Sequence, residues 1–166
     1  MTGQAGGAWQ LRRANADDVP AIMELERATF VTDAWSDATM MSEVTGSNGY
    51  YLVAIDSAGG DAIDGYAGLL APRGSGEGDI QTIAVAPSAR RRGLGRQLML
   101  ALIGEARKRG ARDVFLEVRA DNPGAQQLYR SLGFEGVGVR PRYYQPDGVD
   151  AIVMRLHVPE PETTIA

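Results

Sequence analysis

The chain of 166 residues contains no cysteine and a single histidine, His157. A disulfide framework, a thiolate nucleophile and cysteine-built metal centres are thereby excluded, and one histidine cannot supply a His-rich site. No metal is expected. No apolar run approaches the roughly 18 residues needed to cross a bilayer, and residues 1–8 lack the basic and apolar regions of a signal peptide. The expectation is a soluble, cytoplasmic protein with no membrane partner. Positive charge is also in deficit: 17 Lys and Arg stand against 21 Asp and Glu, a net charge of -4. That balance argues against general nucleic-acid binding by the whole surface, so any anion site must be local. The chemistry left to this chain rests on carboxylates, tyrosines, hydroxyls and backbone groups.

What is present is globular. Apolar residues make up 44% and charged residues 23%, and a chain of this length buries roughly 68–70% of its unfolded surface, enough for one core. A single domain is expected over residues 9–158, with flexible ends at 1–8 and at 159–166, where two prolines interrupt a segment with no core pattern. Trp9 to Ala14 reads as a short strand. Val19, Ile22, Met23, Leu25 and Ala28 follow at helical spacing behind Asp17 and Asp18. Ser36 is a good N-cap for a second helix over 37–44. The segment joining these helices, residues 30–35, carries two aromatics that look exposed, Phe30 and Trp35.

Tyr50 to Ile55 and Ala62 to Ala71 predict a hairpin around a turn-rich stretch. A strand over 79–85 precedes the clearest helix, 93–108, which ends in Lys108, Arg109 and Gly110 as a helix C-terminus prefers. A strand over 113–118 comes next, then a short helix opened by Asn122 and Pro123 and closed by Gly133. Strands over 134–139 and 151–156 form a final antiparallel pair around a loop of residues 140–148. Residues 79–118 have the length of a strand, helix and strand crossover, so their two strands should be parallel within a mixed sheet. The class is α+β, in three layers.

Arg90, Arg91, Arg92, Gly93, Leu94 and Gly95 lie between a strand and the start of the long helix, where cations oppose the helix macrodipole. An anion would neutralise them. Small glycines let backbone N–H groups approach a phosphate, and the helix start adds unpaired donors. A P-loop is ruled out because no Gly-Lys-Ser or Gly-Lys-Thr follows. A dinucleotide fingerprint also fails, since Leu98 occupies its third glycine position and the chain has no room for a second mononucleotide half.

The pattern Arg-x-x-Gly-x-Gly at Arg90, Gly93 and Gly95 resembles the coenzyme A pyrophosphate loop of the GCN5-related N-acetyltransferase (GNAT) superfamily. Leu116-Glu117-Val118-Arg119, Asn122, Leu128-Tyr129 and Leu132-Gly133-Phe134 resemble its RimI branch, the bacterial ribosomal-protein alanine N-acetyltransferases. Trp35-Ser36, Pro141-Arg142-Tyr143-Tyr144, Asp147-Gly148 and Asp150-Ala151 with Met154 extend the likeness over about residues 9–157. The sequence departs from the branch in having no proline in the segment just before Trp35 and an additional Pro141 before Arg142. The resemblance implies the GNAT fold: a central, mostly antiparallel mixed sheet with a splayed parallel strand pair, flanked by helices.

It also implies an acetyl-CoA-dependent enzyme acting on a protein N-terminus, with the N-terminal alanine of ribosomal protein eighteen of the small subunit as the target. A lysine or a small amine is the alternative acceptor, and a non-catalytic coenzyme A-binding module is a third reading. By the same resemblance Glu117 is the general base, directly or through water, and Tyr129 either protonates or orients the departing sulfur. Ile83, Ala84 and Val85 would pair with the pantetheine arm. Arg90, Arg91, Arg92, Gly93, Leu94, Gly95 and Arg96 would hold the pyrophosphate. Asn122 suits both an N-cap and a cofactor contact. Phe30, Trp35, Tyr143 and Tyr144 are implied to surround the acceptor peptide. His157, at the end of the last strand and away from every motif, is expected to be structural or exposed.

Overall fold

The computed structural model describes residues 8–160. Seven strands form one sheet in the order β1-β2-β3-β4-β5-β7-β6: β1 (Trp9–Arg13), β2 (Gly49–Asp56), β3 (Ile63–Leu70), β4 (Glu77–Val85), β5 (Asp113–Arg119), β6 (Glu135–Tyr144) and β7 (Val149–His157). Among the described residues four α-helices flank it: α1 (Val19–Thr29), α2 (Asp37–Thr45), α3 (Leu94–Lys108) and α4 (Pro123–Ser131). Neighbouring strands are antiparallel except β4 and β5, which run parallel over Glu77–Asp79 and Asp113–Phe115. The crossover through α3 makes this pair, as its length requires. Beyond those residues the two strands have no mutual register and splay apart.

Alternation along the strands sorts side chains into two cores. Leu52, Ala54, Ala67, Leu69, Val114, Leu116 and Val118 face α3, meeting Leu94, Leu98, Met99, Leu102 and Ala106. On the other face Tyr51, Val53 and Tyr66 meet Val19, Ile22, Met23, Met40 and Val44 of α1 and α2. A bulge in β4 redirects this alternation. Gly68 pairs with Thr82 and Leu69 with Ile80, leaving Gln81 between them. Ile80 therefore packs on the α3 side while Ala84 packs on the α1 side, although an uninterrupted strand would put both on one face.

The helix ends follow their sequence signals. Ser36 caps α2 by accepting from the Thr39 N–H at 3.1 Å. Asn122 caps α4 by accepting from the Ala125 N–H at 3.1 Å, with Pro123 at the first helical position. Gly110 takes φ 90° behind α3, the left-handed conformation that a helix terminator needs.

Two expectations are corrected here. The loop predicted for residues 140–148 is shorter, because β6 continues to Tyr144, with Arg140 opposite Ala151 and Tyr144 opposite Val149. Pro141 and Arg142 read as turn residues, but β6 is an edge strand, where a missing N–H and an irregular register are tolerated. Phe30 and Trp35 are half-buried against the second core rather than exposed. Of the expected flexible ends, residues 1–7 and 161–166 lie outside the described residues, while Glu160 accepts from Arg112 at 3.1 Å. No helix among the described residues is long and apolar enough to cross a membrane.

One contact between β2 and β3 leaves no slack. The Tyr51 ring, 1% exposed, lies over Gly68 so closely that a Cβ there would stand 2.1–2.6 Å from three ring carbons. Gly68→Ala is expected to cost about 1–3 kcal/mol of unfolding free energy through overpacking, measurable by chemical denaturation. Combined with Tyr51→Ala, it should cost less than the sum of the two separate losses, since the ring is the obstacle.

Candidate active site

The splay of β4 from β5 opens a cleft of about 1500 Å³. Its wall along β4 includes Ile83, Ala84 and Val85. One end is formed by Arg90, Arg91, Gly93, Gly95 and Arg96 at the start of α3, together with Asn122, Gly124 and Leu128. Phe30, Trp35, Tyr143 and Tyr144 also line it, as do Glu117 and Tyr129. The residues singled out from sequence thus converge on one cavity, with one exception.

That exception is Arg92, which turns away from the cleft and lies over the Trp9 ring, 4.9 Å from its centroid. The three arginines diverge because the loop changes hand: Arg91 has φ 61° and Gly93 φ 89°. Such values suit glycine, and at Gly93 the requirement is conformational because a Cβ would meet nothing within 4 Å. Arg90 remains at the cleft, where its Nε donates to the Val85 carbonyl at 3.0 Å. Arg96 donates to Ser131 Oγ at 3.3 Å. Leu94 lines the cavity, yet is 1% exposed and belongs to the core, so it offers a ligand little but backbone.

Glu117 alternates away from buried Val114, Leu116 and Val118. Its carboxylate pairs with the Arg140 guanidinium from β6 and accepts from the Tyr143 hydroxyl. Burial raises the Tyr143 pKa, and Glu117 raises it further against the opposing charge of Arg140. Tyr144 is raised by burial and then by Glu117, Tyr143 and Asp33, with Arg119 opposing. Its ring meets that of Tyr143 edge-on at 5.1 Å. Asp79 on β4 is also raised, first by burial and then by the charges of Glu77 and Glu117.

Tyr129 is 7% exposed and packs edge-on against Phe134 at 6.1 Å. Burial alone pushes its pKa up to about 12, so its hydroxyl keeps its proton through the neutral range. His157 is outside the cleft, at the end of β7, with Nδ1 3.5 Å from Asp113.

Sequence reasoning missed a buried carboxylate. Glu26, 1% exposed, accepts from the Trp35 N–H at 2.9 Å, from the Tyr66 hydroxyl and from Thr82 Oγ1 at 3.4 Å. It ties α1 to the segment carrying Trp35 and to both strands beneath. The signal was available: position 26 continues the stripe of Val19, Ile22 and Met23, and a charge on an apolar stripe needs buried partners. Asp79, Arg119 and Arg140 were likewise unassigned, although Arg119 stands within the Leu-Glu-Val-Arg motif.

A family model described as the acetyltransferase (GNAT) family matches residues 19–134. The chain belongs to the GNAT acetyltransferase family. Within that family it is 38% identical over 147 residues to the N-alpha-acetyltransferase RimI of Mycobacterium tuberculosis, covering 87% of this chain and 89% of the relative. An uncharacterized protein of Mycobacterium leprae is 41% identical over 141 residues; the alignment covers 83% of this chain but 38% of that longer protein. The crystal structure of the ribosomal-protein-S18-alanine N-acetyltransferase from Escherichia coli superposes with a TM-score of 0.79 at 31% identity, covering 95% of this chain and 99% of that one. The observed mixed sheet, with β4 and β5 as its parallel pair, is the GNAT architecture expected from the motifs.

In this GNAT domain Glu26→Ala would deprive the Trp35 N–H and the Tyr66 hydroxyl of their acceptor. The expected loss is about 2–3 kcal/mol, from leaving buried donors unpaired. Denaturant unfolding measures the loss, and tryptophan emission should move as the segment around Trp35 loosens.

Proposed function

We propose that this chain is an acetyl-CoA-dependent protein N-α-acetyltransferase, one catalytic domain over residues 9–158, acting on the N-terminal alanine of the ribosomal protein bS18. A ribosomal acceptor implies action in the cytoplasm. The observation that carries this reading is the assembly, in one cleft, of the Arg-x-x-Gly-x-Gly helix start, a strand edge without a partner, Glu117, Tyr129 and an aromatic wall. The similarity to RimI of Mycobacterium tuberculosis and to the S18-alanine enzyme of Escherichia coli supports the acceptor.

Acetyl-CoA, when bound, supplies the thioester that the amine attacks. The start of α3 suits its pyrophosphate, with N–H groups and the helix dipole assisted by Arg90, Arg91 and Arg96. Because β4 has no register with β5 beyond Asp79, the edge over Ile83, Ala84 and Val85 suits the pantetheine amides, and one N–H there suits the thioester oxygen as negative charge develops. Asn122 and the first turn of α4 complete the donor end.

Glu117 accepts one proton of the acceptor ammonium, directly or through water, freeing the nitrogen lone pair to form the new C–N bond; the second proton, shed by nitrogen as the amide forms, passes to the departing thiolate or to solvent. As the C–S bond breaks, its electron pair goes to sulfur, beside which Tyr129 serves. A hydroxyl at about 12 does not give its proton downhill to a thiolate whose acid ordinarily titrates near 8.5. The buried environment therefore favours Tyr129 as a hydrogen-bond donor that orients and stabilises the sulfur. Phe30, Trp35, Tyr143 and Tyr144 form the slot that reads the residues behind the free N-terminus.

Glu117→Gln is expected to keep acetyl-CoA binding and lower turnover by roughly 10²-fold, the lower range for losing a general base. Calorimetry and initial rates separate the two effects; unchanged turnover would assign the proton to another acceptor, and absent turnover in the parent chain would leave the non-catalytic reading.

Selection of the amine gives a second test. An α-amine has an ordinary pKa of about 7.7–8.0 against about 10.4 for lysine, making deprotonation of lysine about 3.3–3.7 kcal/mol more costly at neutral pH. A peptide with a free N-terminal alanine and an internal lysine should therefore be acetylated mainly at the α-amine, as read by fragment spectra under initial-rate conditions. Predominant lysine acetylation would replace the N-terminal reading with the lysine or small-amine alternative.

A further inference from the structure

The segment between α1 and α2 and the turn between β6 and β7 flank the aromatic side of the cleft, and one guanidinium touches both. Arg119, the last residue of β5, stands on the same strand face as Glu117. Its Nη2 donates to Asp147 Oδ2 at 2.9 Å, and its Nη1 lies 3.6 Å from Asp33 Oδ2. Nε and Nη2 also grip the two oxygens of Asp121 at 3.0 and 3.2 Å. Thr32 Oγ1 donates to Asp147 at 3.0 Å, so the two segments meet directly as well as through Arg119. The Tyr144 ring completes the arrangement, its centroid 5.2 Å from the guanidinium carbon.

Exposed ion pairs generally contribute little, but Arg119 departs from that case in three respects. Its side chain is only 21% exposed. Its planar fork serves several carboxylates at once, which a lysine cannot reproduce. Its own backbone is fixed, because the Arg119 carbonyl accepts from Gln126 Nε2 of α4 at 3.1 Å. The bonds to Asp121 and Asp147 raise the guanidinium pKa further, so Arg119 itself stays charged.

We infer that Arg119 is a positioning residue: a clasp that fixes the spacing between the Phe30–Trp35 segment and Tyr144, and thereby the fit of the acceptor peptide, without touching the reacting atoms. The inference rests on reading that side of the cleft as the acceptor site. Its consequence is a division of labour along β5, where Glu117 handles the proton and Arg119 holds the walls.

Steady-state kinetics with acetyl-CoA and an alanine-initiated peptide test the clasp. Arg119→Ala should raise the peptide KM about tenfold, within the range of coupling among contacting charged groups, while acetyl-CoA KM and kcat change by less than about twofold. Arg119→Lys, which keeps the charge but not the fork, should fall between. Asp147→Asn should also raise the peptide KM, and the double variant should go no higher than Arg119→Ala, because both changes open the same bridge. A peptide KM that stays fixed in Arg119→Ala while rising in Tyr144→Ala overturns the clasp and leaves the acceptor site standing. If neither substitution moves the peptide KM, the acceptor reading and the clasp fall together. Multiplying effects in the double variant, or equal damage to peptide and acetyl-CoA kinetics, also overturn the clasp.

Discussion

Parallel hydrogen bonding between β4 and β5 ends at Asp79 and Phe115, and the cleft exists because it ends there. A sheet that continued to pair would fill the space with its own ladder, leaving no unpaired β4 edge and no gap for a ligand. The bulge at Gln81 lies just past this point and turns Thr82 and Ala84 toward the α1 side. The departure from regular pairing at the middle of the sheet therefore shapes the cleft, in keeping with the positions that bulges favour. The remaining elements stabilise the opening: α3 supports one face, α1 and α2 the other, and α4 places Tyr129 beside it.

Charge is divided along the opening. Arg90, Arg91 and Arg96 gather near the start of α3, while Glu26, Asp33, Asp79 and Glu117 line the cleft together with Arg119 and Arg140, which pair with Asp33 and Glu117 respectively. An anionic donor and a cationic amine have opposite electrostatic needs; on the proposed reading the cations at the helix start suit the first, and the carboxylates beyond them suit the second. The two acidic networks differ in kind. Glu26 is buried and satisfied by hydrogen bonds from neutral donors. Asp33, Asp121 and Asp147 share the charge of Arg119. The first fixes the segment carrying Trp35 from beneath, and the second joins it to the β6–β7 turn.

The features legible in sequence were local ones. The periodicity of α3, the caps at Ser36 and Asn122, and the alternation that turns Glu117 away from Leu116 and Val118 all depend on neighbours within a few positions. The motif order located the cavity lining for the same reason. Arg92 escaped this reasoning because three successive arginines look equivalent until the left-handed turns at Arg91 and Gly93 send them in different directions. The roles of Glu26 and Arg119 escaped it because the deciding partners are distant in the chain: Tyr66 and Thr82 lie 40 and 56 positions from Glu26, and Asp147 lies 28 from Arg119. Pro141 misled in the opposite sense, since a residue that marks a loop in the middle of a sheet is compatible with an edge strand.

The edge location of β6 has a further consequence. Arg140, Tyr143 and Tyr144 all belong to a strand whose neighbour on one side is β7 alone, and every β6 residue before Tyr144 is exposed. The loop of Arg90 to Gly93, by contrast, opens onto α3, whose Leu94, Leu98 and Leu102 anchor the main core. Substitutions on β6 can change what the cleft accepts while disturbing few buried neighbours, whereas substitutions at the start of α3 disturb the core. On the proposed acceptor reading, the β6 part of the aromatic wall can therefore be varied at little cost to the core, so acceptor choice and folding stability are separable in this molecule.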